Sequence, residues 1–153
     1  MRGDVMMNPA ELVKIARLAQ QQAYAPYSNF RVGAALLTAD GQIYTGANIE
    51  NASYGLTMCA ERIAVFRAVM AGEKQMQSIA VAGSGTGVTF PCGACLQVLV
   101  EFAPHITIIV ANEIDEIQEY SLNELLPQGF ALPKTSREQI TASRHHDPSR
   151  RGK

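Results

Sequence analysis

Three cysteines and one glutamate place the strongest constraint on how this chain can fold. They lie in two short motifs, Cys59-Ala60-Glu61 and Pro91-Cys92-Gly93-Ala94-Cys95, and the chain holds no other cysteine. Three thiolates can hold a zinc ion and leave its fourth position open, as catalytic zinc sites do, whereas structural zinc sites are usually closed by four protein ligands. We therefore expect a fold that brings the two motifs to one point.

Both motifs are predicted to begin helices. Cys92 and Cys95 are three positions apart, so they lie on one helix face and both sulfurs can point at one ion. Cys59 begins another helix, and the positive ends of two helix dipoles would favour thiolates over thiols. Glu61 follows Cys59 by two positions and is placed to move protons to and from a water in the open position.

The charge of such a site calls for a positive neighbour. Zinc with three thiolates carries a net negative charge, which makes it a poorer Lewis acid unless other groups compensate. Arg62 is the nearest cationic candidate, so we expect it to donate to one or more cysteine sulfurs, the alternative being a helix-surface arginine. The alternative for the metal is a site closed by a histidine, and the chain offers His105, His145 and His146.

The remaining pattern predicts an α/β fold. Helical spacing follows the N-cap residue Asn8 and recurs from Met58 to Ala71 and from Cys92 to Phe102, with a short capped helix after Ser121. Apolar or β-branched runs predict strands at Val32 to Thr38, Ile43 to Ala47, Ile79 to Ala82, Thr107 to Ala111 and Ile117 to Tyr120. This order predicts a three-layer α/β/α fold with a mixed sheet of about five strands.

Composition narrows the function classes. The chain has 153 residues and a formal net charge of −1, so we expect one catalytic domain over residues 8–133 and no nucleic-acid partner. No run of about 20 apolar residues is present, so no membrane partner is expected. An odd number of cysteines argues against a disulfide framework and favours the cytoplasm. Residues 134–153 form a basic polar tail, with six basic and two acidic residues, which we expect to be flexible.

The cysteine motifs belong to an ordered set between Leu12 and Phe130. The other members are Ala25-Pro26-Tyr27-Ser28-Asn29-Phe30, Val32-Gly33-Ala34-Ala35-Leu36, Gly46-Ala47-Asn48-Ile49-Glu50-Asn51-Ala52 and Glu124-Leu125-Leu126-Pro127. This set resembles the small cytidine deaminases of the all-cysteine, homotetrameric type, and its cysteine motifs resemble the zinc-deaminase signature. The resemblance implies one zinc ion per subunit, deamination of cytidine and deoxycytidine in pyrimidine salvage, and a homotetramer with pockets completed by neighbouring subunits.

The resemblance also implies roles at matched positions. Cys59, Cys92 and Cys95 would be the zinc ligands, and Glu61 would be the proton shuttle. Asn48 and Glu50 would bind the ribose, Phe30 would lie against the pyrimidine, and the backbone groups of Ala60 and Cys92 would contact the edge of the ring. Tyr54 and Phe130 would complete the pocket of a neighbouring subunit. A carboxylate and an amide can read a ribose diol, and an aromatic ring can stack on a pyrimidine. Loop capping and ordinary packing are the alternatives for these substrate-binding residues.

Three departures from the family pattern stand near these motifs. Ala47 occupies a position where many members have another cysteine. Leu96 occupies a position where an arginine is common, and Arg31 one where proline is frequent, so Arg31 either faces solvent or alters the pocket mouth. Three alternative functions stay open. They are a deaminase for a modified cytidine or nucleoside antibiotic, an editor of polynucleotides, which the near-neutral charge disfavours, and a structural zinc module.

Overall fold

The computed structural model describes residues 6–133, and the predicted tail at 134–153 lies outside them. Its helices and strands follow the predicted order along the chain. They are α1 (Pro9–Gln20), β1 (Val32–Thr38), β2 (Ile43–Ala47), α2 (Ala60–Met70), β3 (Met76–Gly83), α3 (Gly93–Phe102), β4 (Thr107–Ala111), β5 (Ile117–Ser121) and α4 (Leu122–Leu125). One short 3-10 helix, Tyr54–Leu56, lies between β2 and α2.

The five strands form one mixed sheet, as predicted. Their order is β2-β1-β3-β4-β5, with β3 and β4 parallel and the other neighbours antiparallel. Val32 pairs with Gly83, so the start of β1 lies beside the end of β3. Ala82 pairs with Ala111, which brings the end of β4 to the same edge. The loops that follow β2, β3 and β4 therefore emerge at one end of the sheet.

Alternation along β1 separates two cores. Ala34 and Leu36 belong to a core with residues of α2 and α3, while Ala35 and Leu37 belong to a second core with residues of α1. Successive side chains of a strand point to opposite faces, so a strand that is buried along its whole length has helices on both sides. The predicted three-layer α/β/α architecture is confirmed.

Two predicted boundaries differ from the structure by more than one residue, and backbone pairing explains both. β3 begins at Met76 and not at Ile79, because its first residues pair with the end of β1 although their side chains are less apolar. α2 begins at Ala60 and not at Met58, because Met58 exchanges two backbone hydrogen bonds with Ile49. Main-chain donors and acceptors committed to such pairs cannot begin a helix. Among residues 6–133, no helix combines the length and apolar character needed to cross a bilayer.

Candidate metal centre and substrate cavity

Two of the cysteines are the N-cap residues of the helices that the sequence predicts at the site. Cys59 precedes α2 and Cys92 precedes α3, both with extended backbone conformations and with side chains that make no capping hydrogen bond. Their sulfurs are therefore available to a ligand. Cys95 lies in the first turn of α3, so two helix N-termini converge on the three thiols, and their dipoles favour the deprotonated form.

The distances between the sulfurs fit one zinc ion. The Cys59 and Cys92 sulfurs are 3.9 Å apart, the Cys92 and Cys95 sulfurs are 3.6 Å apart, and all three lie within 4.8 Å of one another. Tetrahedral zinc with bonds of about 2.3 Å separates two sulfurs by about 3.8 Å. Among residues 6–133, this cluster consists of the three cysteines without a histidine, so His105 does not close it. The other two histidines lie outside the described residues.

Arg62 makes the predicted contact with the cluster. Its Nη2 donates to the Cys59 sulfur at 3.5 Å. A hydrogen bond from Cys95, together with Arg62, lowers the pKa of the Cys59 thiol to about 5, and the same bond between the cysteines raises the pKa of Cys95. The Nε of Arg62 is buried and has no protein partner among the described residues. The guanidinium thus places positive charge beside the sulfurs, where negative charge accumulates.

Glu61 is buried beside the metal cluster. It lies in the first turn of α2 and is only 4% exposed. Burial raises its pKa to about 7, and the neighbouring Cys59 thiolate adds to the rise. A carboxyl group with a pKa near neutrality can both accept and donate a proton under physiological conditions, which is what a proton shuttle requires.

Cys59, Cys92 and Glu61 line a cavity of about 270 Å³. Four of the predicted substrate-binding residues line it, namely Phe30, Asn48, Glu50 and Ala60. Five more lining residues were not among the sequence-predicted site residues, namely Ser28, Val32, Thr57, Thr89 and Phe90. Thr89 and Phe90 directly precede Pro91-Cys92, so their proximity to a metal cysteine was the available indication.

Asn48 has a structural task besides any contact with a ligand. Its Oδ1 accepts a hydrogen bond from the Val32 amide, and its Nδ2 donates to the Phe30 carbonyl, both at 2.8 Å. Asn48 is 8% exposed, so these bonds lie in a largely dry environment. An amide nitrogen carries two hydrogens and an amide oxygen two lone pairs. The side chain that braces the start of β1 therefore retains hydrogen-bonding capacity toward the cavity.

Glu50 is held in its charged form at the cavity mouth. Its Oε1 accepts hydrogen bonds from the backbone amides of Tyr27 and Ser28, at 2.9 and 3.1 Å. Hydrogen bonding, led by the Ser28 side chain, lowers the pKa of Glu50. A carboxylate has two acceptor oxygens, and both of these backbone bonds use Oε1. The group is thus oriented and ionised, with acceptor capacity remaining for hydroxyl donors.

Tyr54 and Phe130 lie differently from the other predicted residues. Tyr54 is 72% exposed, packs edge-on against Tyr27 at a centroid distance of 5.8 Å, and lines a second cavity of about 320 Å³ that also contains Glu50. Phe130 is 69% exposed, and its backbone exchanges two hydrogen bonds with the Gln97 side chain. Phe130 is not among the lining residues of either cavity within the described part of the chain.

The three departures from the family pattern occupy different environments. Ala47 is buried at the end of β2. Leu96 is buried in the core between α3 and the sheet. Arg31 is exposed, and its Nη1 donates to the Gln21 carbonyl at 3.4 Å. Arg31 is not among the residues that line the metal cavity. Of the two interpretations of Arg31, the structure favours a solvent-facing residue.

Comparison with known proteins is consistent with this site. Residues 6–111 match the family model described as the cytidine and deoxycytidylate deaminase zinc-binding region. The chain belongs to this deaminase family. The family resemblance inferred from the sequence motifs is confirmed, and so is the assignment of a zinc-dependent hydrolytic enzyme. The three cysteines form a cluster that could hold a metal ion such as zinc.

This chain aligns with nearly the full length of several cytidine deaminases. A cytidine deaminase from Halalkalibacterium halodurans is 49% identical over 125 residues, which is 81% of this chain and 95% of that protein. One from Sporosarcina psychrophila is 44% identical over 82% of this chain and 93% of its own length. The crystal structure of cytidine deaminase from Burkholderia pseudomallei is 46% identical and superposes with a TM-score of 0.78, covering 81% of this chain and all of that one.

Proposed function

We propose that this deaminase hydrolyses cytidine and deoxycytidine to uridine and deoxyuridine and releases ammonia. The observation that carries the proposal is a buried carboxyl, Glu61, placed beside a three-cysteine cluster at the end of a cavity that also contains Asn48 and Glu50. The cavity thus combines groups for hydrolysis with groups that can bind a sugar. The similarity to proteins named cytidine deaminases supports the same substrate class.

The chemical step assigns metal binding to the cysteines and proton transfer to Glu61. Cys59, Cys92 and Cys95 would hold zinc, which when bound supplies a Lewis acid that activates water. Glu61 accepts one proton from the attacking water and delivers it to ring N3, while the hydroxyl adds to C4. Glu61 then carries the remaining hydroxyl proton to the exocyclic nitrogen, and ammonia leaves as the C4 carbonyl forms. Arg62 compensates the thiolate charge through Cys59.

Substrate binding is proposed for residues that line the same cavity as Glu61 and the metal cysteines. Asn48 and Glu50 would bind the ribose hydroxyls, since one is an oriented amide and the other an ionised carboxylate. The Phe30 ring would lie against the pyrimidine, and the backbone groups of Ala60 and Cys92 would contact the edge of the ring. Their position along one cavity supports these roles.

A homotetramer is proposed for the assembly. Tyr54 and Phe130 are large, apolar and mostly exposed, which is typical of interface residues and supports a role in completing a neighbouring subunit's pocket. A role in pyrimidine salvage in the cytoplasm is proposed with it, because three thiols that bind zinc must stay reduced. Light scattering and sedimentation of the wild-type chain and a Phe130→Ala variant test the assembly.

The direct test is the loss of ultraviolet absorbance when cytidine is added to the zinc-loaded enzyme. Deoxycytidine, free cytosine and CMP are measured in parallel, with a chelator-treated sample as control. Conversion of the two nucleosides, without conversion of cytosine or CMP, is the expected result. Failure to convert any of the four by a zinc-loaded protein would instead favour a modified cytidine or a nucleoside antibiotic as the substrate.

A further inference from the structure

Residues 84–91 form the β3–α3 loop, which connects β3 to Cys92 and contributes Thr89 and Phe90 to the cavity. The loop is rich in small and polar residues, and its conformation is fixed by contacts outside the cavity. Ser84 and Arg31 exchange two hydrogen bonds, from Ser84 N to Arg31 O at 2.8 Å and from Arg31 N to Ser84 Oγ at 2.9 Å. These bonds connect the start of the loop to Arg31, which directly follows Phe30.

A single arginine on α1, Arg17, links the start of this loop to the segment between β4 and β5. Arg17 Nη1 donates to the Gly83 carbonyl at 2.7 Å, Nη2 donates to the Asn112 carbonyl, and Nε donates to Asp115 Oδ1 at 3.2 Å. Gly83 ends β3, and the other two acceptors lie between β4 and β5. The planar guanidinium presents donors in fixed directions, so it sets the relative position of its three partners.

Gly83 also packs against Phe30, the aromatic residue proposed to lie against the pyrimidine. A Cβ atom at Gly83 would lie 2.0 Å from Thr89 Oγ1 and 3.0 Å from the Phe30 ring. A Cβ atom at Gly85 would lie 2.9 Å from the same ring. The backbone at these two glycines is therefore in direct contact with Phe30 and Thr89. A displacement of this backbone would move two of the residues that line the cavity.

A second anchor connects the same two loops. Glu113 Oε2 accepts a hydrogen bond from Gly87 N at 2.5 Å, in the middle of the β3–α3 loop. Glu113 belongs to residues 112–116, the segment that Arg17 holds through Asn112 and Asp115. Arg17 thus acts on the β3–α3 loop directly at its start and indirectly at its centre.

We propose that Arg17 is a positioning residue for substrate binding. It does not line the cavity, and it acts by holding Gly83 and residues 112–116, which together set where Thr89 and the Phe30 ring lie. The metal cysteines remain in place without it, because Cys59 and Cys92 are positioned by the starts of α2 and α3. The inference rests on the proposed function for its kinetic consequence but not for its structural one.

The test compares Arg17→Met with Arg17→Lys and with the control Asp115→Asn. Arg17→Met removes every donor, so the KM for cytidine should rise about tenfold, with kcat within about twofold and zinc content unchanged. The Ki of the product uridine should rise in parallel, because binding and not chemistry is impaired. Arg17→Lys keeps the charge but offers a single donor nitrogen in place of the planar guanidinium, so it should restore part of the loss. Asp115→Asn removes only the charge of an exposed partner and keeps a side-chain oxygen that can accept from Arg17 Nε, so it should behave as wild type.

Hydrogen exchange tests the structural step without reference to activity. In Arg17→Met, the amides of residues 84–90 should exchange about tenfold faster, with α2 and α3 unchanged. Unchanged exchange in this segment overturns the proposal, and so does a fall in kcat or zinc content at constant KM.

If Arg17→Met does not fold, Glu113→Ala tests the proposal instead, because it removes only the hydrogen bond to Gly87 N, whereas Glu113→Gln keeps an acceptor. The proposal is supported if Glu113→Ala shows faster exchange and a raised KM while Glu113→Gln does not. It is overturned if the Glu113→Ala and Glu113→Gln variants behave identically. If the wild-type enzyme does not convert cytidine, the exchange result still tests Arg17 while the proposed substrate fails.

Discussion

Replacing Asn48 with alanine should reduce both stability and ribose recognition. The change removes two hydrogen bonds of 2.8 Å and leaves the buried Val32 amide without its acceptor. A net hydrogen bond contributes about 1 kcal/mol, and an unsatisfied buried donor costs about 1–3 kcal/mol. The free energy of unfolding should therefore fall by about 2–4 kcal/mol.

Thermal unfolding at a fixed protein concentration measures this loss, since the proposed assembly would make the midpoint depend on concentration. Asn51→Ala is the matched control in the same loop, because its Oδ1 accepts only a local bond from Ser53 N and the residue is exposed. We expect the control to change stability by no more than about 0.5 kcal/mol. An Asn48→Ala protein as stable as wild type would refute the bracing role.

The ribose role is separated from the bracing role by substrate choice. Wild-type enzyme should prefer cytidine to 2′,3′-dideoxycytidine, because Asn48 and Glu50 are proposed to bind the sugar hydroxyls. In Asn48→Ala, the ratio of kcat/KM between the two substrates should shrink by about tenfold, the equivalent of one lost hydrogen bond. A stability loss without any change in this ratio would leave Asn48 with the structural role alone.

Three further predictions concern the metal centre and the assembly. Glu61→Gln should still bind uridine while turnover falls by about 10²- to 10⁴-fold, and near-normal turnover would remove Glu61 from proton transfer. Arg62→Gln should weaken zinc binding by about 10- to 100-fold, measured in competition with a chromophoric chelator. The control Arg67→Gln, which loses only contacts to Thr45, should bind zinc as wild type does. Equal zinc affinities of the Arg62→Gln and wild-type proteins would contradict the role of Arg62. Phe130→Ala should raise KM only if a neighbour's pocket uses this ring, so an unchanged KM together with unchanged assembly would argue against that role.

The metal cluster was predictable because its determinants are local. The C-x-x-C spacing places Cys92 and Cys95 on one helix face, and helix-start patterns place Cys59 and Cys92 at N-termini. Arg62 was predictable from charge alone, since it adjoins Glu61 and meets the Cys59 sulfur as expected. The substrate-binding roles of Asn48, Glu50 and Phe30 were predicted from family resemblance. Their position along the cavity supports these roles, which stay predictions.

The parts that escaped prediction depend on contacts between distant segments. Nothing in the local pattern indicates that Met58 pairs with Ile49 and so delays α2, or that β3 extends back to Met76 by pairing with β1. Likewise, Arg17 resembles any exposed helix arginine in the sequence, yet it joins the ends of β3 and β4. Such hydrogen bonds have no sequence period that could reveal them.

The sequence by itself determined the three cysteines that could hold a metal ion, the helix starts that present them and the alternation that gives a three-layer α/β/α fold. These properties depend on residue chemistry and on spacing within a single helix or strand. Only the tertiary structure decided which loops meet at the end of the sheet, that Asn48 braces β1, and that Gly83 links Arg17 to the Phe30 ring. The physical reason is that strand order and long-range hydrogen bonds are selected by the joint packing of the whole chain, because each buried donor and acceptor must find a partner wherever the fold provides one.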